Sequence, residues 1–116
     1  MSHTSEIKLH ITLDENKVPK NIEWTATDNN VVNSPVRAMM LSLWDPAENN
    51  TMRIDLWTQE MMVEEMKHFV HQQLMLMAET FERSTGETQM ATAMREFGKF
   101  FGEKMNVIEP INPTQQ

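Results

Sequence analysis

The chain contains no cysteine and no tyrosine, and only three of its 116 residues are glycine. The lack of cysteine excludes a disulfide framework, a thiol nucleophile and thiolate ligands for zinc or an iron–sulfur cluster. The three glycines form no phosphate-binding loop, and no serine lies in a Gly-x-Ser-x-Gly turn. The sequence therefore carries no recognisable catalytic motif, and we predict neither an enzyme nor a bound cofactor.

Basic residues are also scarce, ten against 17 acidic residues, which gives a net charge of −7. A nucleic-acid-binding protein needs a basic surface to release counterions, so this balance argues against nucleic acid as a partner. No apolar run approaches the roughly 18 residues of a membrane span. The N-terminus has neither a basic segment nor an apolar one, so no secretory signal is expected, and the predicted location is the cytoplasm.

Methionine, by contrast, is abundant, with 12 residues in a chain whose length fits one domain. A chain of this size buries roughly two-thirds of its unfolded surface on folding, so it needs no disulfide bond or metal ion to form a core. Methionine fills irregular cores, but it also lines adaptable binding surfaces. We predict a single α+β domain over residues 1–105, followed by an extended or disordered, proline-containing tail over 106–116.

Three segments alternate between apolar and polar residues as half-buried β-strands do: 6–13, 21–26 and 51–57. Turn-forming residues over 14–17 join the first two segments into a hairpin. The third segment is predicted to complete an antiparallel meander of three strands.

A short helix is predicted before the third strand, over residues 36–44. Ser34 is a suitable N-cap, and Pro35 suits the first helical position, where a backbone N–H has no helical partner. Pro46 then ends the helix, because the residue before a proline is disfavoured in the helical conformation.

Beyond the third strand the apolar residues recur at helical spacing, which predicts a long helix over 59–84, capped by Thr58. Gly86 permits a turn, and a second helix follows over 87–104. The two helices are expected to lie antiparallel or at a steep angle, to share their apolar stripes and to pack on one face of the sheet. The stripes are Met62, Val63, Met66, Val70, Leu74, Met77 and Phe81, then Met90, Met94, Phe97, Phe101 and Met105.

Arg53, Asp55 and Trp57 share one face of the third strand and are the first candidate partner-binding residues. Arginine and tryptophan are enriched at interface hot spots. The alternative is an outer sheet face with a cross-strand ion pair covered by a tryptophan. Met75 is the other candidate, because it lies on the polar face of the first long helix. An apolar residue there indicates a segment covered on both sides, by the sheet, a partner or a second copy, so a homo-oligomer is left open.

Glu65, His68 and His71 are candidate metal ligands. The spacing Glu65-x-x-His68 matches one ligand pair of carboxylate-bridged di-metal sites, and His68 and His71 could share an ion. Such di-metal sites need two of these pairs and two further glutamates, whereas the chain offers one pair. Helical spacing also places both histidines on the polar face, where local Glu–His pairs on a solvated surface explain them. No metal site is therefore predicted.

Several motifs resemble the gliding motility-associated protein GldC family of Bacteroidetes, over about residues 7–104. The most specific of them is the run at 53–58. The chain departs from the family pattern at Met62, where turn-type residues are usual. The motifs are Leu13-Asp14-Glu15-Asn16-Lys17-Val18-Pro19, Trp24-Thr25-Ala26-Thr27-Asp28, Leu43-Trp44-Asp45, Arg53-Ile54-Asp55-Leu56-Trp57-Thr58, Met61 and Glu65-Met66.

The resemblance implies a small soluble accessory protein of the gliding machinery, which is shared with the type IX secretion system, with no assigned catalytic residues. We therefore expect a cytoplasmic, non-catalytic binding or adaptor protein whose partner belongs to the motility or secretion machinery. One alternative is a holdase-like secretion chaperone, which an acidic, methionine-rich chain would suit. The other is a metalloprotein or enzyme built on Glu65, His68 and His71.

Overall fold

The computed structural model describes residues 2–108. It is an α+β fold, as predicted, with contacts that divide the chain into two compact units, one up to Met61 and one from Met62 onward. The first unit holds β1 (Ile7–Leu13), β2 (Pro19–Ala26), a 3-10 turn (Thr27–Asn29), β3 (Val31–Val36), β4 (Ala38–Asp45) and β5 (Asn50–Trp57). The second unit holds α1 (Val63–Thr85) and α2 (Thr88–Lys104).

A three-stranded antiparallel meander in the order β1-β2-β3 forms half of the first unit. Its apolar residues lie opposite one another, with Leu9 across from Trp24 and Ile11 across from Ile22. Ile22 also faces Val36 of β3 and is fully buried. The alternation predicted for the first two strands is thus confirmed.

The third strand of the meander is β3, not the segment 51–57 that the sequence predicted. β3 contains Pro35, which lies opposite Glu23 of β2. Proline lacks a backbone N–H, so a strand that contains it belongs at the edge of a sheet, where β3 lies. Ser34 and Pro35 therefore do not begin a helix, and that expectation is wrong.

The predicted helix 36–44 is also wrong. Val36 ends β3, and residues 38–44 belong to β4, which pairs antiparallel with β5 as a separate two-stranded sheet. Leu41 lies opposite Ile54, and Leu43 lies opposite Met52. These cross-strand apolar pairs override the helical tendency of methionine and leucine. Asp45 opens the turn instead of ending a helix, since its Oδ1 accepts the N–H of Ala47 at 2.9 Å.

In the second unit, Gly86 ends α1 as predicted, with a φ of 76° that glycine adopts readily. α1 begins four residues later than expected, at Val63. Thr58 therefore does not cap it. Thr58 is instead only 4% exposed, and its N–H donates to the carbonyl of Arg37 at 2.8 Å.

Small residues line the contact between α1 and α2: Ala78 and Ala91 are fully buried. A β-carbon at Gly98 would lie 2.5 Å from Met75 Sδ, and one at Gly102 would lie 2.9 Å from His71 Cδ2. Residue numbers rise on one helix as they fall on the other, so the helices are antiparallel. We call this row of buried alanines and glycines the small-residue line. Helical spacing places both predicted apolar stripes along one side of the line, and it places Met75 along the opposite side.

The segment after α2 folds back on its last turn, because the N–H groups of Val107 and Ile108 both donate to the carbonyl of Gly102. The rest of the predicted tail, 109–116, lies outside the described residues. The single domain over 1–105, the extended tail and the packing of both helices on the sheet stay predictions.

Candidate protein-binding surface

The β4–β5 hairpin has two distinct faces, which its register defines. Directly opposed residues of an antiparallel pair share a face. Asp55 lies opposite Met40, and Thr51 lies opposite Trp44. Because side chains alternate along a strand, Arg53 and Trp57 share the face of Asp55, as the sequence predicted. We call Met40, Trp44, Arg53, Asp55 and Trp57 the aromatic face.

Both tryptophans of the aromatic face are largely exposed, Trp44 by 63% and Trp57 by 57%. Between them, Arg53 Nε lies 3.1 Å from Asp55 Oδ2. The aromatic face therefore combines two large amphipathic side chains with an exposed ion pair. Tryptophan and arginine are the residue types that dominate protein interfaces energetically.

The ion pair joins two residues of the same strand rather than crossing to another strand. The predicted alternative, a cross-strand pair covered by a tryptophan, does not describe this geometry: Trp57 leaves Arg53 with 72% of its side chain exposed.

The opposite face of the hairpin is entirely apolar along both strands, apart from its turn end. Leu43, Met52 and Ile54 are each more than half exposed there. A two-stranded ribbon is marginally stable alone in water, and it needs a hydrophobic face that is covered. We call this set the apolar face: Met39, Leu41, Leu43, Met52, Ile54 and Leu56.

A shallow recess of about 220 Å³ adjoins the aromatic face at the end of β5. Its walls are Val18 at the end of the β1–β2 turn, Pro19 at the start of β2, and the last residues of β5, from Asp55 to Trp57. Asp14 shapes this turn, because its Oδ1 accepts the N–H groups of Asn16 and Val18 at 2.8 and 3.0 Å. The recess therefore opens directly beside Trp57.

Sequence reasoning did not place Met40 and Trp44 on the same face as Arg53, Asp55 and Trp57, because both fall within the segment predicted as a helix. A signal for them exists. Asp45-Pro46 is a turn-initiating pair, and the alternating segment 51–57 follows it closely. An apolar run, a turn and an alternating run indicate a hairpin.

Met75, the other candidate, lies in the second unit with its Sδ against Gly98 of α2. It is half-buried and lines a groove of about 400 Å³ with His71, Arg95, Lys99 and others. The expected cover on this side of α1 is thus supplied in part by α2. The role of Met75 as a partner contact stays a prediction.

The three residues of the metal alternative are engaged in different ways. The carboxylate of Glu65 accepts the N–H of Met62 at 3.1 Å, at the start of α1. His68 is exposed. His71 packs against Gly102, and its Nε2 is buried without a hydrogen-bond partner, so its expected place on a solvated face is wrong. Within residues 2–108, no three histidine or acidic side chains come together as metal ligands.

Glu82 and Arg95 join α1 to α2 through a bond of 2.7 Å between Arg95 Nη2 and Glu82 Oε1. This hydrogen bond to Arg95 lowers the pKa of Glu82 from its ordinary value, against a smaller opposing effect of burial. The pair lies on the Met75 side of the small-residue line, and Arg95 lines the groove.

Residues 19–107 of this α+β chain match the family model described as gliding motility-associated protein GldC-like. The match covers most of the chain, so the chain belongs to the GldC-like family. Membership of this family associates the chain with gliding motility. No curated protein and no solved structure matches the chain. Neither helix of residues 2–108 is both long and apolar enough to cross a bilayer.

Proposed function

We propose that the protein is a non-catalytic adaptor in the cytoplasm, which binds a protein of the gliding motility machinery linked to type IX secretion. Membership of the GldC-like family supports the motility context. The acidic balance of the sequence, with a net charge of −7, favours a protein partner over nucleic acid.

The aromatic face carries this proposal. Trp44 and Trp57 are each more than half exposed, so most of their large apolar surface is in contact with water. Covered by a partner, the same side chains would bury a large apolar area. Arg53 and Asp55 supply charged hydrogen-bonding groups that set the orientation of a partner. The recess beside Trp57 adds a concave element to an otherwise flat surface.

The experiment is affinity capture of the native chain from a gliding bacterium that encodes it, compared with Trp57→Ala. Phe97→Ala is the matched control, because Phe97 of α2 is an aromatic residue of similar exposure, 54%. Loss of a motility or secretion protein with Trp57→Ala alone supports the proposal. Equal retention by both variants would place the partner elsewhere.

A holdase-like chaperone is the second candidate, and one observation favours it. The apolar stripes of α1 and α2 leave Val63, Met77, Met90 and Phe97 more than half exposed. Flexible methionines on such a surface can adapt to many unfolded clients. Suppression of aggregation of an unrelated unfolding protein is the test. No suppression at excess chain excludes this candidate and leaves the adaptor proposal intact.

A further inference from the structure

β5 is hydrogen-bonded to a strand along one edge, and we call the other edge, which has no strand partner within residues 2–108, its open edge. Its partner on the first edge is β4, and no other strand of residues 2–108 pairs with it. The side chains from Asn50 to Asp55 are exposed. An open strand edge with exposed side chains on both faces is a template for another strand.

We propose that the open edge of β5 binds the same edge of a second copy of this chain. The two β5 strands run antiparallel about a two-fold axis through Ile54, which joins two hairpins into one four-stranded sheet. The self-complementary order of the β5 side chains carries this inference. Isologous pairing of one patch with itself is the usual geometry of a homodimer.

Symmetry leaves few registers for such a pair. A two-fold axis perpendicular to the sheet keeps each face on its own side, and opposed residues must share a face. The axis must therefore pass through a residue, not between two. An axis at Arg53 would set Arg53 against itself, and an axis at Asp55 would set Asp55 against itself. Like charges directly opposed are destabilising.

The axis at Ile54 gives the opposite result. Arg53 of each copy then faces Asp55 of the other copy, twice by symmetry. Arg53 already lies 3.1 Å from Asp55 of its own chain, with 72% of its side chain exposed. A guanidinium has five N–H donors, so it can bond both carboxylates. An axis at Met52 would instead set Arg53 against Thr51 and lose the opposite-charge pair.

The same register also sets apolar residues of the two copies opposite one another on the apolar face. Ile54 faces Ile54 of the second copy, and Met52 faces Leu56. The apolar faces of the two hairpins become continuous, and the ion pairs lie on the other side of the sheet. Each β5 thus gains a second neighbour, which a two-stranded ribbon needs for stability.

This inference deepens the proposed function, since it concerns the strand that carries the aromatic face, and the two can fail separately. Capture of a motility protein by a chain that is monomeric would refute the dimer and keep the adaptor. A dimer that captures no motility protein would refute the adaptor proposal and keep the dimer.

The test is the mass of the full chain in solution, measured by light scattering over a concentration series. The native chain should be a dimer. Arg53→Asp and Asp55→Arg each place like charges across the axis, so each variant alone should be monomeric. Mixed in equal amounts, they should form a heterodimer, because one copy then carries two acids and the other two bases. Far-UV circular dichroism checks that both variants fold.

The double exchange Arg53→Asp with Asp55→Arg keeps the charges complementary and should dimerise even if a single variant fails to fold. Arg83→Asp is the control, because it reverses an exposed charge of a helical ion pair and should leave the dimer unchanged. A monomeric native chain, single variants that remain dimers, or a mixture that stays monomeric would each overturn the inference.

Discussion

Arg53 and Asp55 form an ion pair between two alternate residues of β5, 3.1 Å apart on the face that also carries Trp57. Most of the Arg53 side chain is in water, where an ion pair contributes little to folding stability. Removal of Arg53 should therefore leave folding almost unchanged, whatever it does to binding.

Arg53→Ala is the first prediction. At concentrations at which both chains are monomeric, the free energy of unfolding should change by less than about 1 kcal/mol, because exposed ion pairs contribute that much or less. Chemical denaturation of both chains measures it. A larger loss would show that Arg53 supports the fold, and the binding experiments with its variants would then need another interpretation.

The turn of the β4–β5 hairpin gives the second prediction. Asp45→Ala removes the acceptor that holds the N–H of Ala47, and this should cost about 1 kcal/mol of stability. Asp45→Asn keeps an oxygen at the same place and should retain most of it. Thermal unfolding of the three chains tests the account, and an equal effect of both substitutions would contradict it.

The helix contact gives the third prediction, which compares two glycines. A β-carbon at Gly102 would meet Ile108 at 2.7 Å and the His71 ring at 2.9 Å, whereas one at Gly98 would meet the flexible Met75 at 2.5 Å. Gly102→Ala should therefore destabilise by roughly 1–3 kcal/mol. Gly98→Ala should cost less, since methionine can move and alanine favours the helix by about 1 kcal/mol.

A double variant sharpens this comparison. With Met75→Ala also present, Gly98→Ala no longer meets the sulfur, so it should become stabilising. A denaturation cycle over the four chains measures the coupling between the two positions. Additive effects would show that Met75 and Gly98 do not share the contact.

The ion pair between α1 and α2 gives the fourth prediction. Because Arg95 lowers the pKa of Glu82, the folded state holds the proton less tightly than the unfolded state. The stabilisation is complete above the ordinary glutamate pKa of about 4.3 and is lost as the pH falls through the lower folded value. The native chain should thus lose its advantage over Glu82→Gln in acid.

Stability against pH for both chains measures this effect. Glu79→Gln is the control, since it removes a carboxylate from an exposed pair on the same helix, with Arg83 at 3.9 Å. Parallel curves for native and Glu82→Gln would show that the Arg95 bond has no effect on folding.

Much of the fold could be predicted from alternation and helical period. β1, β2, β5, α1 and α2 all have a clear period in the sequence. β4 does not, because Ala38 to Trp44 is apolar almost throughout, and a short apolar run does not distinguish strand from helix. Pairing with β5 determines the strand conformation of β4. Pro35 of β3 suits the first position of a helix, but it suits an edge strand equally well.

The candidate surface was predictable to the same extent. Arg53, Asp55 and Trp57 follow from the period of β5 alone. Placing Trp44 on the same face requires the strand conformation of β4, which depends on its pairing with β5. His71 seemed solvated because helical spacing identifies the polar face of a helix but not what covers it. Glycine and alanine on α2 allow the helices to approach closely enough to cover that histidine.

The most direct test of the central claim is the set of proteins captured with the native chain, Trp57→Ala and Phe97→Ala, identified by mass spectrometry. The account predicts a protein of the motility or secretion machinery with the native chain and Phe97→Ala, and its loss with Trp57→Ala. Undiminished capture of that protein by Trp57→Ala would contradict it.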